Sequence, residues 1–259
     1  MTKPTLYIDG DVVAFQCAAS REQAVEWAEG YWTWNVSFAE VTNAIVTTVE
    51  RVADTLEGDP VLCLTDPDRN FRKDILPSYK LHRTTQKKPL VLLAVKRWLV
   101  EEMGAVMRPG LEGDDCMGIL ATRPRPGEKI IVSIDKDMKT IPGNYVRTRA
   151  VVDSEGVQLV GAYDVVEISK DEADYNHLFQ TLTGDITDGY SGCPGIGPKK
   201  AEGIIELGAT IADNWQAVVR AYAKAGLGEE EALTQARVAR ILRASDYNFK
   251  TKEPILWAP

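Results

Sequence analysis

Short apolar runs alternate with helical patterns through the first half of the chain. Residues 5–9, 61–66, 105–108 and 129–134 are runs of four to six residues bounded by Gly, Pro or Asp, and each predicts a strand. Phe38, Val41, Ile45, Val49, Val52 and Leu56 recur at steps of three and four, which predicts one long amphipathic helix stopped near Gly58. Val91, Ala94, Val95, Trp98 and Leu99 repeat the helical spacing ahead of the third strand. Strands alternating with helices imply an α/β fold, a mainly parallel sheet flanked by helices. The segment with Trp27, Trp32 and Trp34 predicts a local insertion or hairpin, its aromatics expected to pack rather than to stack on a ligand.

A last hairpin is expected over residues 151–165, around Asp153-Ser154-Glu155-Gly156. Beyond Ser169 the pattern is helical, over 171–182, 201–207, 215–225 and 229–244, with one short strand signal at 254–257. This divides an α/β unit, residues 1–165, from a helical C-terminal region, residues 166–259. No internal repeat is present.

The length of 259 residues allows one large domain or two small ones, with a core that needs neither disulfides nor a structural metal. No stretch of eighteen apolar residues exists, and the N-terminus lacks a basic, apolar and cleavable segment. A cytoplasmic protein without a membrane partner is expected. Cys17, Cys63, Cys116 and Cys193 are widely separated, and His82 and His177 are the only histidines. A zinc site of Cys and His is therefore disfavoured, and the thiols read as small buried groups.

Net charge is −8, yet residues 66–98 hold nine Lys and Arg against three Asp. This stripe of six net positive charges includes Lys87 and Lys88, and the rest of the chain carries −14. A basic stripe interleaved with Phe71 and Tyr79 beside an acidic body suits a protein that grips phosphates and holds divalent cations.

The acids fall where strands end. Asp9 closes the first strand, with Asp11 beyond it as a turn or N-cap residue, and Asp66 closes the second. Glu112, Asp114 and Asp115 follow the third, and Asp135 and Asp137 the fourth. The carboxyl ends of parallel strands lie along one edge of a sheet, so these acids converge. Converging carboxylates repel and need a counter-charge. An oxygen-only donor set predicts Mg²⁺, with Mn²⁺ able to substitute, and two such ions suit phosphodiester hydrolysis.

A glycine-rich turn follows the next helix. Gly184-Asp185-Ile186-Thr187-Asp188-Gly189 precedes Pro194-Gly195-Ile196-Gly197-Pro198-Lys199-Lys200-Ala201, which reads as the hairpin of a helix–hairpin–helix at about 184–206. Gly195, Ile196, Gly197, Lys199 and Lys200 would meet a nucleic-acid backbone through amide groups and positive charge, without reading sequence.

Taken together and in this order, the acids and the glycine-rich turn resemble the structure-specific 5′-nuclease (flap endonuclease) family. His177-Leu178-Phe179-Gln180-Thr181, the 184–192 turn, Ala239-Arg240-Ile241-Leu242-Arg243 and Tyr247-Asn248-Phe249 are most similar to the 5′→3′ exonucleases of short-tailed phages. The resemblance implies a PIN-like nuclease core with an arch or gateway at about 67–100. It also implies two divalent cations and a helical region that grips duplex DNA. Asp9, Asp66, Glu112, Asp114 and Asp115 match one ion's neighbourhood, and Asp135, Asp137 and Asp188 the other's. Asp185 stands behind them, and Asp114 or Asp115 is shared. Tyr79, Lys80 and Arg83 match gateway positions that stack on or neutralise the scissile phosphate, with Arg72 a further candidate. Many relatives carry Asn where this chain has Gly189, which receives no direct role.

The implied activity is two-metal-ion 5′→3′ hydrolysis of duplex DNA, leaving a 5′-phosphate and a free 3′-hydroxyl. The implied biology is phage DNA replication, including RNA primers in RNA–DNA hybrids, and host DNA degradation. A monomer suffices, and replication proteins are candidate partners. Three alternatives stay open: a flap endonuclease, a PIN-like ribonuclease and a non-enzymatic DNA-binding protein.

Overall fold

The computed structural model describes residues 2–153, 156–160 and 163–259. The chain opens with β1 (Thr5–Asp9), α1 (Gly10–Ala19), a ribbon of β2 (Gln23–Ala28) and β3 (Tyr31–Asn35), α2 (Phe38–Thr55) and β4 (Asp59–Leu64). There follow α3 (Arg72–Ile75), α4 (Leu92–Glu101), β5 (Val106–Met107), α5 (Gly113–Thr122), β6 (Lys129–Ser133), β7 (Gly143–Arg147), β8 (Arg149–Asp153), β9 (Gly156–Val160) and β10 (Val166–Ile168). The remainder is mainly helical, with α6 (Lys170–Thr183), α7 (Pro198–Ala201), α8 (Ile211–Lys224) and α9 (Glu229–Ala239). It closes on a short antiparallel pair, β11 (Tyr247–Asn248) with β12 (Glu253–Pro254), at the start of the predicted 254–257 strand signal.

Six strands form one sheet in the order β10-β7-β6-β1-β4-β5. Neighbours from β7 to β5 run parallel, and β10 closes the other edge antiparallel to β7. From β1 the chain goes first to β4 on one side and later to β6 on the other, so strand order reverses at β1. A crevice opens outside the carboxyl end of such a switch strand, and Asp9 is the last residue of β1.

Strand β1 is buried on both faces, which is why its sequence is an unbroken apolar run. Leu6 and Ile8 enter a core with Val13, Ile45 and Val49, while Tyr7 joins Cys63, Met117 and Ile131 on the opposite face. A separate core in the helical part gathers Leu178, Trp215, Tyr222, Ala236 and Trp257. All four cysteines are buried free thiols. No helix among the described residues is long and apolar enough to cross a membrane.

Several elements differ from expectation. α5 is buried around most of its circumference and leaves no one-sided apolar period to read. α1 buries one face, Gly10, Val13, Ala14, Cys17 and Ala18, but carries apolar Val12, Phe15 and Ala19 on the other, which hides the period. Asp11 is not a cap. Asp9 caps α1 by accepting from Val12 N at 3.1 Å, whereas Asp11 lies in the first helical turn and accepts from Thr65 N at 2.8 Å. The predicted helix 201–207 is the single turn α7 followed by i→i+3 turns around Gly203. The predicted helix 229–244 stops at Ala239, because Leu242 N donates to Asp115 Oδ1 and the Val238 carbonyl accepts from Arg72 Nε. Both groups are thereby withdrawn from the helical ladder. The expected hairpin near 151–165 is β8 paired with β9, and residues 154 and 155 of its turn lie outside the described residues. Finally, Trp27, Trp32 and Trp34 join no core and are 55–73% exposed.

Candidate active site

Two strand ends and one helix start deliver acids to the crevice. Asp9 is buried, and its Oδ2 accepts from Ser133 Oγ at 3.1 Å across the β1–β6 pair. Glu112 is the N-cap of α5 and its amide donates to Asp115 Oδ2 at 3.0 Å, which sets Asp114 on the helix's first turn. Beyond β6, Asp135 Oδ1 accepts from Asp137 N at 2.8 Å, so the Asp135–Asp137 turn is closed by its own acid.

Asp9, Asp114, Asp135 and Asp137 share a negative potential that the protein does not neutralise. Burial, then the charges of Asp11 and Asp135, push the Asp9 carboxyl up to about 7. Burial and the Asp9 and Asp135 charges push Asp114 well above the usual carboxylate range. Asp137 rises to about 7 through burial and Asp135. Among the described residues no ion pair reaches these four side chains. Oxygen donors that raise one another's pKa in this way fit a hard divalent cation. As arranged, no three acids, histidines or cysteines among the described residues already encircle a single ion position.

The neighbouring acids are engaged instead. Lys80 Nζ lies 2.8 Å from Glu112 Oε1 and 3.3 Å from Asp188 Oδ2. The Tyr79 hydroxyl is 3.0 Å from an oxygen of each of the same two acids, and its one proton serves one of them at a time. Arg83 donates to Asp188 Oδ1 at 2.7 Å. Burial would raise Glu112, but Lys80 and Arg72 outweigh it and hold its carboxyl at about 2. Lys80 takes a left-handed backbone, φ 51°, and its amide donates to the Asp188 carbonyl at 2.7 Å. Gly189 passes against this strained segment with φ 80°, where a Cβ would stand 3.0 Å from the Ser78 carbonyl. That close approach, at a positive φ, accounts for the glycine at this position.

Three predicted acids are turned toward the protein. Asp115 is fully buried and accepts four hydrogen bonds: two from Arg72 at 2.7 Å, and one each from Glu112 N and Leu242 N at 3.0 Å. Asp66 accepts from Asp68 N at 3.0 Å and Gly110 N at 2.6 Å. Asp185 closes its own turn by accepting from Thr187 N at 2.6 Å. Arg72 is 1% exposed and also donates to the Val238 and Arg240 carbonyls, so it faces the interior rather than the gateway opening.

On the basic side, Gly195, Gly197, Lys199 and Lys200 are exposed, with Ile196 half-buried. Lys200 Nζ holds the hairpin closed on the Gly195 carbonyl at 2.8 Å. Nothing lies within 4 Å of a Cβ built at Gly195 or Gly197, which leaves room for a ligand to approach the backbone. Lys87 pairs with Glu22 and sits 3.6 Å from the Trp34 ring centre. Lys88 is exposed. Lys96, counted in the stripe, is instead bound to Asp11 at 2.6 Å.

Sequence reading missed Ser133, and also Asn70, which donates to Glu112 Oε1 at 2.9 Å. It missed Gln180, Tyr190 and Ile241, which line the cleft beside Asp137. All three lie inside the segments quoted for the phage resemblance, which was the one signal that could have found them.

A family model described as 5′-3′ exonuclease, N-terminal resolvase-like domain, matches residues 4–170. The chain belongs to this 5′-3′ exonuclease family. The exodeoxyribonuclease of Enterobacteria phage T3 is 30% identical, the match covering 99% of this chain and 93% of that one. The exonuclease of Escherichia phage T7 is also 30% identical, over 99% of this chain and 94% of its own. The 5′-3′ exonuclease assignment thus runs through the helical part as well, and the chain is an exonuclease of the phage T3 and T7 type. The fold is shared with the flap endonuclease of bacteriophage T5, solved in a pseudo-enzyme–product complex with DNA and metal ions. The TM-score is 0.63 at 14% identity, over 92% of this exonuclease and 89% of that chain.

Proposed function

We propose that this exonuclease removes nucleotides from the 5′ ends of duplex DNA by divalent-cation-dependent hydrolysis. The observation that carries the reading is the group Asp9, Asp114, Asp135 and Asp137, acids gathered at the switch strand without a cationic partner. These four would hold two Mg²⁺ ions, with Glu112 and Asp188 beside them. Bound there, the cations would supply Lewis acidity and neutralise charge on the phosphodiester.

The chain's own residues do the rest. Asp66, Asp115 and Asp185 act by fixing the loops and the helix start that present the ligating acids. Lys80 and Arg83 lie within bonding distance of acids at the cleft and would turn to the scissile phosphate, stabilising the charge that develops there. Burial and the Glu112 charge keep the Tyr79 hydroxyl protonated, which suits it to donate or stack but not to act as a base. Gly195–Lys200, with Lys87 and Lys88, would grip the DNA backbone.

In this reading residues 1–165 are the nuclease core, completed by β10 (Val166–Ile168) at its sheet edge, with the gateway at 67–100, and the helical region beyond it holds the duplex. Primer removal from RNA–DNA hybrids and degradation of host DNA in the infected cell's cytoplasm are the roles such chemistry would serve.

Linear duplex DNA labelled at its 5′ or its 3′ end, with Mg²⁺ or with chelator, tests the reading. Early release of short 5′-labelled products in Mg²⁺ alone is expected. Cleavage of single-stranded RNA with none of duplex DNA would overturn it.

A further inference from the structure

The ribbon formed by β2 and β3 is an anomaly on the surface. A lone two-stranded hairpin is marginal in water, yet this one exposes Trp27 and Tyr31 at 73%, Trp32 at 58% and Trp34 at 55%. Register pairs Glu26 with Trp32 and Ala24 with Trp34, so the last two tryptophans share one face. Trp27 lies on the other, where its Nε1 donates to Thr33 Oγ1 at 2.6 Å. Exposed aromatic rings on both faces of one small ribbon, with Trp32 and Trp34 side by side on one of them, mark an interaction site.

The ribbon is tied to the second half of the gateway segment. Glu22, at its foot, pairs with Lys87 and accepts from Leu90 N, and Lys87 lies over Trp34. Four residues before Lys87, Arg83 binds Asp188 at the acid cleft. α1 separates the foot of the ribbon from Asp9 by ten residues, or roughly 15 Å of helix.

Charge narrows the occupant. Residues 23–35 contain Glu26 and Glu29 and no Lys or Arg. Such a ribbon has no phosphate grip of its own and offers neutral ring faces, with cations only on its flank, at exposed Lys88 and at Lys87, which Glu22 pairs. The π-faces of unpaired bases fit that arrangement, their phosphates lying toward the lysines. We propose that the ribbon is a base-stacking platform, with Trp32 its open ring, that holds unpaired nucleotides of the DNA substrate outside the gateway. The proposal rests on the reading of the chain as a DNA-cleaving enzyme.

The test compares the full-length protein with Trp32→Ala and Trp32→Phe by fluorescence anisotropy in chelator. The probes are a blunt duplex and the same duplex with a short single-stranded overhang. Trp32→Ala is expected to weaken binding to the overhang at least about fivefold, the low end for losing one stacked base, with little change on blunt DNA. Trp32→Phe should recover most of the loss. Unchanged binding to the overhang, or equal losses on both probes, would overturn the proposal. So would a self-associating wild type that Trp32→Ala converts to monomer, because a second copy would then be the occupant. Mg²⁺-dependent release of 5′ label from blunt duplex is measured in parallel. Its absence from the wild type would sink the cleavage reading, and its persistence in Trp32→Ala keeps that reading separate from the platform.

Discussion

Arg72 and Asp115 meet through two parallel hydrogen bonds of 2.7 Å, and both side chains are almost completely buried. The same guanidinium donates to the carbonyls of Val238 and Arg240, while Asp115 accepts from the amide of Leu242. One ion pair thus staples the end of α9 to the start of α5, where Glu112 and Asp114 are presented.

This arrangement makes Arg72 a positioning residue, and Arg72→Lys separates the two roles. A lysine keeps the charge but has no planar fork for Asp115 and cannot reach two carbonyls at once. Breaking a buried pair of this kind costs about 3–5 kcal/mol. Urea unfolding should show a loss of that order, and turnover should fall because the acids shift. A variant of native stability that had lost only turnover would return Arg72 to the substrate.

The pair also explains what the amino-acid sequence could and could not reveal. Apolar runs closed by an acid announce β1 and β6, since a buried parallel strand is uniformly apolar and its carboxyl end is where a charge can surface. The long helix 38–55 is equally legible, because it is buried on one side only. α5 is not, since its burial on most sides erases the period. Arg72 reads as one more cation of a basic stripe until its partners at 115, 238 and 240 are brought to it from far along the chain. The acids were legible as a group but not as individuals: nothing local distinguishes Asp114, left without an ion pair, from Asp115, which is fully bonded. The tryptophans misled for a simple reason. Large rings in an alternating segment ordinarily pack inward, and only tertiary structure shows that no core lies beneath them.

Lys80 bridges Glu112 and Asp188 and is buried enough for that bridge to matter. If it turns to the phosphate during cleavage, its loss should act on turnover rather than on binding. Lys80→Ala is expected to lower kcat on duplex DNA by about 10²-fold or more, the scale of one lost electrostatic stabiliser. The dissociation constant in chelator should change far less. Equal losses in both would make Lys80 a simple phosphate grip.

Asp137 carries a built-in pH dependence in the metal-free protein. Its carboxyl titrates at about 7 in the fold and near 4 when unfolded. The folded state therefore binds the extra proton between those values, and stability falls as pH rises through that window, staying low above it. Asp137→Asn removes the cost. In chelator at pH 8 the variant should melt a few degrees above the native protein, and the advantage should vanish near pH 4. Mg²⁺ should stabilise the native protein more than the variant, and cleavage by the variant should be lost. Identical melting at pH 8, or full activity, would remove Asp137 from the group that holds the ions.

Lys199 and Lys200 open α7 from an exposed hairpin whose glycines leave the backbone approachable. Interactions of this kind read phosphate and not base, so they release counterions in proportion to the phosphates neutralised. Changing both lysines to alanine should weaken duplex binding by a similar factor on unrelated sequences. It should also flatten the slope of log K against log salt by about 0.9 for each phosphate no longer neutralised. Lys200 also closes the hairpin through the Gly195 carbonyl, so Lys199→Ala alone distinguishes the two effects. A flatter slope in that single variant points to a direct grip on the DNA backbone. An unchanged slope there, with weaker binding only in the double variant, would mean that Lys200 shapes the loop and that the DNA lies elsewhere.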